Sequence, residues 1–493
     1  MEQRAIVAIE IASSKIKGAV GSVDEDGRLT VLAVEEISDT DNVRYGRVQN
    51  VLEVSAVVND IIQRLESAPT VSPRKIKAMA LSFGGRSFSA TPTSGLLRFP
   101  HDCEITENHV ARLTEEAKRD FVSDKNVEAV VPRMFYVNNA AVQKPVGIFG
   151  ETLRGEFMMI TCGKESRENL KRLKYDTVDS ENVEYQLRHT AIADLLLSAD
   201  DRSLGCALVD FGAETTTVSI YKDGSLAFLS TIPMGSRLIT LDLKSGLGIT
   251  EETAENHKKH LGTLAEEPSQ QGNELAERVN EYVRARAGEI VANIVNQIEC
   301  SGYKDLPAGI ILVGGGAKLR DFATLLGQRS KRTVRSGEMP SDILFKTPAN
   351  SADNIDVVAL LAAAAKKDWT CLSEGVEVND VDDEINKRGD IEDPLSSELL
   401  DVRTPGIEDD DHDLEDDKDD DDPSEPKSRG LLGFIIKGPK GESAPIDDNN
   451  FTDDTDETDD TKVGFEKTKK KIGKLRDSLV NLFAPPVEDN EQL

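Results

Sequence analysis

Cys206-Ala207-Leu208-Val209-Asp210-Phe211-Gly212-Ala213-Glu214-Thr215-Thr216-Thr217-Val218-Ser219-Ile220-Tyr221 is an apolar run that ends near an acid, turns through small and hydroxyl residues, and leaves as a second apolar run. Such a pattern reads as strand, turn, strand, with Gly224 supplying the next turn. The same layout occurs near the start of the chain, in Ile6-Val7-Ala8-Ile9-Glu10-Ile11-Ala12-Ser13-Ser14-Lys15-Ile16-Lys17-Gly18-Ala19-Val20. Turns of this composition expose backbone N–H groups that suit phosphate oxygens. One such turn says little. Two, about 200 residues apart, point to a duplicated fold with a ligand held between the halves.

Between the two blocks, residues 55–65 have helical periodicity and residues 76–83 read as a strand. Residues 84–161 depart from simple alternation: a strand-rich start to Phe99, a helix over about 107–121, then strand-like runs at 129–137 and 156–161. They read as an inserted α+β subdomain. After the second block, helix periodicity dominates 251–264 and again 275–300, where Leu275, Val279, Val283, Ile290, Ile294 and Ile298 form a core-facing stripe. A buried strand then feeds Gly314, Gly315 and Gly316. Their missing Cβ atoms would let a flat ligand lie against the backbone, although a tight structural turn explains them equally well. Residues 354–366 read as an Ala-rich helix, and order is expected to end near 369–371.

A chain of 493 residues exceeds what one core usually supports. Its net charge of −31 is uneven: residues 373–461 carry 33 acidic and 8 basic side chains, residues 462–493 carry 5 and 7. The remainder is mildly acidic and shows no clustered Lys and Arg, so nucleic acid is not an expected partner. The 5 cysteines are scattered, without a C-x-x-C pair, so neither a disulfide framework nor a zinc site is indicated, and a reducing cytosol fits best. The N-terminus runs straight into a strand-like segment without an apolar leader, and no stretch reaches about 18 apolar residues.

Beyond residue 373, runs such as Glu408-Asp409-Asp410-Asp411 and Asp419-Asp420-Asp421-Asp422 are too charged to form a core. An apolar island with basic edges interrupts them at 429–438; a recognition motif, a second membrane contact and a chance cluster all account for it. Near the end, Phe465, Ile472, Leu475, Leu479, Leu482 and Phe483 share one helical face, with Lys467, Lys469, Lys470, Lys471, Lys474 and Arg476 around it. This looks like a membrane-surface helix whose cations suit anionic headgroups; a protein partner, or a solvated tail with none, are the other readings.

Two acid-ended hairpins, a helical block and a late Gly-Gly-Gly turn, in this order, resemble the actin, Hsp70 and sugar-kinase ATPase superfamily. Its members hold ATP between two lobes, each built on a duplicated βββαβα unit. The inserted subdomain and the amphipathic tail look most like the FtsA family of bacterial division proteins. The resemblance covers about residues 4–368 and the final helix; the acidic linker contributes nothing to it. It implies an α/β, actin-like, two-lobed fold. The first core subdomain (1A) would comprise 1–83, 163–205 and 346–371, with the insertion at 84–162. The second (2A) would comprise 206–242 and 309–345, with a helical subdomain (2B) at 243–308. A disordered acidic linker, 372–461, and a membrane-targeting helix, 462–484, would follow.

Carried over residue by residue, Glu10 with Ala12, Ser13, Ser14 and Lys15 matches the first phosphate hairpin, and Asp210, Gly212 and Thr215 the second. Gly235 and Ser236, followed by Arg237, Thr240 and Asp242, resemble the segment that closes over the phosphates. Glu255 and Lys258 resemble the helix positions that face adenine and ribose, and Gly314, Gly315 and Gly316 the adenosine turn. The resemblance implies ATP and Mg2+ as cofactors, with Asp210 holding the metal through water.

The chain departs from the family pattern at Glu10, where Asp is common, at Ala12, where Gly is usual, and in Gly212-Ala213-Glu214-Thr215, where a glycine run is usual. Ala213 and Glu214 are expected to crowd or repel phosphates, and residues 184–193 offer no catalytic base. Nucleotide binding with slow or absent hydrolysis is the expectation, and catalytic residues are unknown. The implied function is a self-associating adaptor that tethers FtsZ filaments to the inner face of the plasma membrane at the septum. FtsZ contact would fall in 243–308, with anionic lipids and other divisome membrane proteins as further partners. A pilus or secretion-system adaptor and a sugar-kinase-fold enzyme stay open as alternatives.

Overall fold

Seven consecutive buried residues follow Arg4 in the strand Arg4–Ile11, a pattern that requires cover on both faces. A computed structural model of the protein describes residues 4–38, 41–265, 273–349 and 351–373. It places this strand near the middle of a sheet ordered Val183–Leu187, Met79–Phe83, Arg4–Ile11, Lys15–Val23, Leu29–Ser38, Leu344–Phe345. The expected acidic linker from residue 374, the apolar island and the tail helix with Phe465 to Phe483 lie outside the described residues.

The second sheet repeats the arrangement. Cys206–Phe211, Thr216–Lys222 and Ser225–Ile232 form an antiparallel meander, and Ile310–Val313 lies parallel to the first of these strands, with Val334–Ser336 beyond it. Met79–Phe83 likewise lies parallel to Arg4–Ile11, with Val183–Leu187 beyond. The two acid-ended hairpins therefore head equivalent sheets, and the fold is the α/β, actin-like one.

Alternation along the strand Cys206–Phe211 serves two cores at once, because successive side chains point to opposite faces. Ala207, Val209 and Phe211 pack with Val279, Val283, Ile290, Ile294 and Ile298 of the helix Glu274–Cys300. Cys206 and Leu208 join the other core, with Ile9, Val20 and the helix Ile355–Ala365. The Ala-rich composition of that last helix buries Val357, Val358, Ala359, Leu360, Leu361 and Ala364. Leu275 departs from the expected stripe: it is 42% exposed, and Ala276 is buried instead. It stands in the first turn, beside the N-cap Asn273 whose side chain accepts from the Ala276 N–H, so a neighbour one position on takes the inward place.

The segment inserted after Met79–Phe83 has a core of its own, formed by Leu97, Leu113, Ala117, Phe135, Leu153 and Phe157 around the helix Glu107–Asp120. Its strands Ser89–Glu104, Phe149–Cys162, Asn126–Val137 and Ala140–Val142 extend the second sheet, not the first. The joint is the residue pair Ser230–Ser89. Packing at the far end reaches slightly beyond the expected limit, since Leu372 is 5% exposed and bridges to Ile76. No helix among the described residues is long and apolar enough to cross a membrane.

Candidate functional site

The two hairpin turns are built alike. The Ala12 N–H donates to the Lys15 carbonyl at 3.2 Å, and the Gly212 N–H to the Thr215 carbonyl at 2.9 Å. Each bond closes a short loop and leaves the next two N–H groups, of Ser13 and Ser14 and of Ala213 and Glu214, without an acceptor among the described residues. Both turns line one cavity of about 1330 Å³, whose wall also includes Lys15, Asp210, Gly212, Thr215, Ser236, Glu255, Lys258, Gly314, Gly315 and Gly316. Gly235 and Asp242 are not part of the wall. Asp242 instead binds Arg286 through both carboxylate oxygens, at 2.6 and 3.1 Å.

Glycines around the cavity serve different ends. A Cβ on Gly235 would lie 2.3 Å from the Ala213 carbonyl carbon, and one on Gly316 would lie 2.8 Å from the Phe211 ring. These glycines exist for protein packing. Gly315 alone of the three-glycine turn has nothing within 4 Å of its missing Cβ, so it is the place where a flat ligand can approach the backbone. Gly235→Ala should accordingly destabilise the protein by about 1–3 kcal/mol through overpacking, read as a lower urea midpoint at unchanged slope.

At the floor of the cavity the hairpin acids meet a cation that sequence reasoning did not anticipate. Arg188, the first residue of the helix Arg188–Leu196, donates from Nη1 to Glu10 Oε1 at 2.9 Å and from Nη2 to Asp210 Oδ2. Burial alone would raise the Asp210 carboxyl; Arg188 and the nearby His189 hold it below its ordinary range. Burial pushes the His189 imidazole down. Glu10 behaves oppositely: burial, then the Asp356 charge, push its carboxyl up to about 8. Its second oxygen, Oε2, is buried without a donor, and a proton on it gives it a partner in Asp356. Lys17 completes the chain, its Nζ 2.8 Å from both oxygens of Asp356.

Such an arrangement disfavours a divalent ion held at Asp210, because the guanidinium already occupies Oδ2 of that carboxylate. Among the described residues no three His, Cys, Asp or Glu side chains gather to hold a metal. A nucleotide fits better: the unpaired turn N–H groups, the Lys15 ammonium and the open face at Gly315 all line one wall.

Glu214 corrects an expectation. Its carboxylate does not project at the cavity as an unpaired charge; it is 4% exposed and turned into the first lobe, where it accepts from the Tyr45 N–H and lies 2.7 Å from Arg44 Nε. Arg237 Nη1 donates to it at 3.2 Å from the second lobe. The residue that was to repel phosphate is thus a clasp between lobes. Ser13 assists from the other hairpin, its hydroxyl accepting from the Gly46 N–H at 2.8 Å.

At the opposite end, Glu255 and Lys258 on the helix Glu251–Leu261 pair at 2.6 Å, with Thr240 Oγ1 donating to Glu255 at 2.6 Å. Burial lowers the Lys258 ammonium. It would raise Glu255, but Lys258 and Thr240 bring that carboxyl below its usual value. Both groups are therefore oriented by each other before any ligand arrives. Lys15 is similarly held, 2.8 Å from Glu36. The residues missed in the sequence are Arg188, Lys17 and Asp356. A lysine inside the apolar run Ile16 to Val20 was the available signal, since a buried ammonium implies a buried acid.

Comparison with known proteins agrees with the topology. The family model described as "Cell division protein FtsA" matches residues 207–354, and the one described as "SHS2 domain inserted in FTSA" matches residues 85–161. The chain is 29% identical to the cell division protein FtsA of Porphyromonas gingivalis over 355 residues, covering 68% of this chain and 73% of that one. Against the FtsA of Neisseria meningitidis the identity is 26% over 389 residues, 74% of this chain and 91% of the other. Among solved structures, a chain of the "PilM-PilN type IV pilus biogenesis complex" aligns with a TM-score of 0.51 and 15% identity, over 73% of this chain and 98% of that one. That last likeness is one of fold alone. Family models in both the second lobe and the insertion, with relatives that span most of the described residues, show that the chain belongs to the FtsA family of bacterial cell division proteins.

Proposed function

We propose that this protein is a nucleotide-binding adaptor of the division septum, which self-associates, recruits FtsZ and holds it at the inner face of the plasma membrane. The observation that carries the nucleotide part is the pair of equivalent turns, each with two N–H groups lacking an acceptor among the described residues, facing one cavity. Ser13, Ser14, Thr215 and Lys15 would hold phosphates, with Gly315 against the base or sugar. Glu255 and Lys258 would contact the nucleoside. Hydrolysis is slow or absent on this reading, because Asp210 pairs with Arg188, Glu214 with Arg44 and Arg237, and Glu184 with Lys367. None is left as an uncommitted base for water.

Membrane attachment rests on the sequence stripe Phe465, Ile472, Leu475, Leu479, Leu482 and Phe483 with its flanking lysines. One such helix binds weakly, each basic residue near an anionic surface contributing about 1 kcal/mol. Self-association multiplies the attachment, by about 10² to 10⁴ in avidity. The acidic run before it would act as a tether with a span of roughly 50 to 60 Å. Cosedimentation of the full chain and of residues 1–461 with phosphatidylglycerol vesicles tests this directly. The full chain should pellet with vesicles and bring FtsZ with it, and the truncated chain should lose at least about tenfold in vesicle affinity. Full retention of vesicle binding by residues 1–461 contradicts the membrane assignment.

A further inference from the structure

The two hairpin acids of this chain are already bridged. Glu10 and Asp210 come from equivalent strands of the two lobes, and Arg188 reaches both with separate nitrogens of one planar group. The side chains are 1%, 5% and 15% exposed for Glu10, Asp210 and Arg188, so the bridge is part of the packed floor and not a surface contact. Position enforces it. Arg188 opens a helix directly after the strand Val183–Leu187, which delivers the guanidinium to the ends of the strands that carry the acids. A hydrated divalent ion demands near-octahedral oxygen geometry at about 2.0–2.1 Å and keeps several waters. The guanidinium, bonded to Glu10 Oε1 and Asp210 Oδ2, occupies the space between the two acids. Nearby acids are committed as well: Asp356 to Lys17, Glu255 to Lys258 and Glu214 to Arg44.

We propose that Arg188 takes the place of a divalent cation between the two hairpin acids, so that the cleft binds a nucleoside di- or triphosphate without Mg2+. The guanidinium supplies a fixed positive charge on the cavity wall, and its fork of N–H donors matches phosphate oxygens as well as carboxylates. This rests on the cleft being a nucleotide site, and the measurements are arranged so that the two ideas fail separately.

Calorimetric titration of ATP and ADP into the full chain, in EDTA and in excess MgCl2, is the first measurement. Wild-type affinity should agree within about threefold between the two conditions; a loss of about tenfold or more in EDTA overturns the proposal. Arg188→Ala should bind at least about tenfold more weakly in EDTA and recover in MgCl2. Arg188→Lys, which keeps the charge but reaches only one acid, should show the same metal rescue in smaller degree and guards against a variant that fails to fold. The second measurement uses metal alone: Mn2+ titrated into the nucleotide-free protein and followed by paramagnetic resonance. Wild type should bind no Mn2+ with a Kd below about 1 mM, and Arg188→Ala should gain a site. Should neither nucleotide bind in either buffer, the nucleotide reading falls, while the Mn2+ result still decides whether Arg188 excludes a metal. Mn2+ binding by the wild-type cleft overturns the substitution of arginine for metal whatever the nucleotide does.

Discussion

Asp356→Ala should cost about 3–5 kcal/mol of folding stability, because it leaves the buried Lys17 ammonium without its counter-ion. Lys17 is 2% exposed, and its Nζ lies 2.8 Å from both Asp356 oxygens, with the Asp353 carbonyl as a further acceptor. Burial alone would lower the Lys17 ammonium; Asp356 and then Glu10 raise it above its ordinary value. Removing the carboxylate removes the larger of those attractions and keeps the desolvation. Asp356 also sits in the first turn of the helix Ile355–Ala365, where a negative charge is favoured by the helix dipole. Urea unfolding at neutral pH is the measurement. The paired change Lys17→Met with Asp356→Leu should recover most of the loss, since a buried ion pair replaced by apolar side chains of similar volume is often neutral. A single Asp356→Ala within about 1 kcal/mol of wild type would falsify this account of the floor.

Glu214→Ala should release the contact between the lobes and cost about 2–3 kcal/mol, from lost charge-assisted hydrogen bonds and a stranded N–H. The carboxylate side chain is 3% exposed and faces Arg44, which is 40% exposed. Arg44 can rehydrate after the change; the Tyr45 N–H loses the acceptor it has in Glu214. Arg237 keeps Glu251 at 2.8 Å, which limits the cost on that side. Trypsin offers a direct readout because Arg44 and Arg47 flank the clasped loop. Cleavage there should speed up by about tenfold or more, as local opening costs less free energy. Arg44→Ala alone, scored at Arg47 because it removes the other cleavage site, should do less, and a cycle of the two changes scored at that same site isolates the pair. Unchanged cleavage in Glu214→Ala would mean that the loop is held by Ser13 and its own packing.

What the sequence made legible follows from how short-range its signals are. The strands were readable because each buried run is continuous or alternating over a few residues, as in Arg4–Ile11 and Cys206–Phe211. Two copies of one hairpin then implied two equivalent sheets. The charge network was not readable, because its members are far apart in the chain: Arg188 lies 178 positions from Glu10, and Lys17 lies 339 from Asp356. Periodicity carries no information about such pairings. Glu214 was misjudged for the same reason. Its place in the turn was clear, but the loop that neutralises it belongs to the other lobe. The glycines mark a subtler limit, since composition alone cannot separate a Cβ excluded by a neighbouring ring, as at Gly316, from one left out over open space, as at Gly315.

The joint at Ser230–Ser89 ties the insertion to a lobe it does not belong to by chain order. Covalently, the insertion hangs between Met79–Phe83 and Val183–Leu187 of the first sheet; by hydrogen bonding it continues the second. It therefore links the two lobes a second time, beside the connections made by the backbone. Any change in the angle between the lobes must either break the Ser230–Ser89 pairing together with the packing beside it, where Ile160 and Cys162 share a core with Leu226 and Leu229, or carry the insertion along.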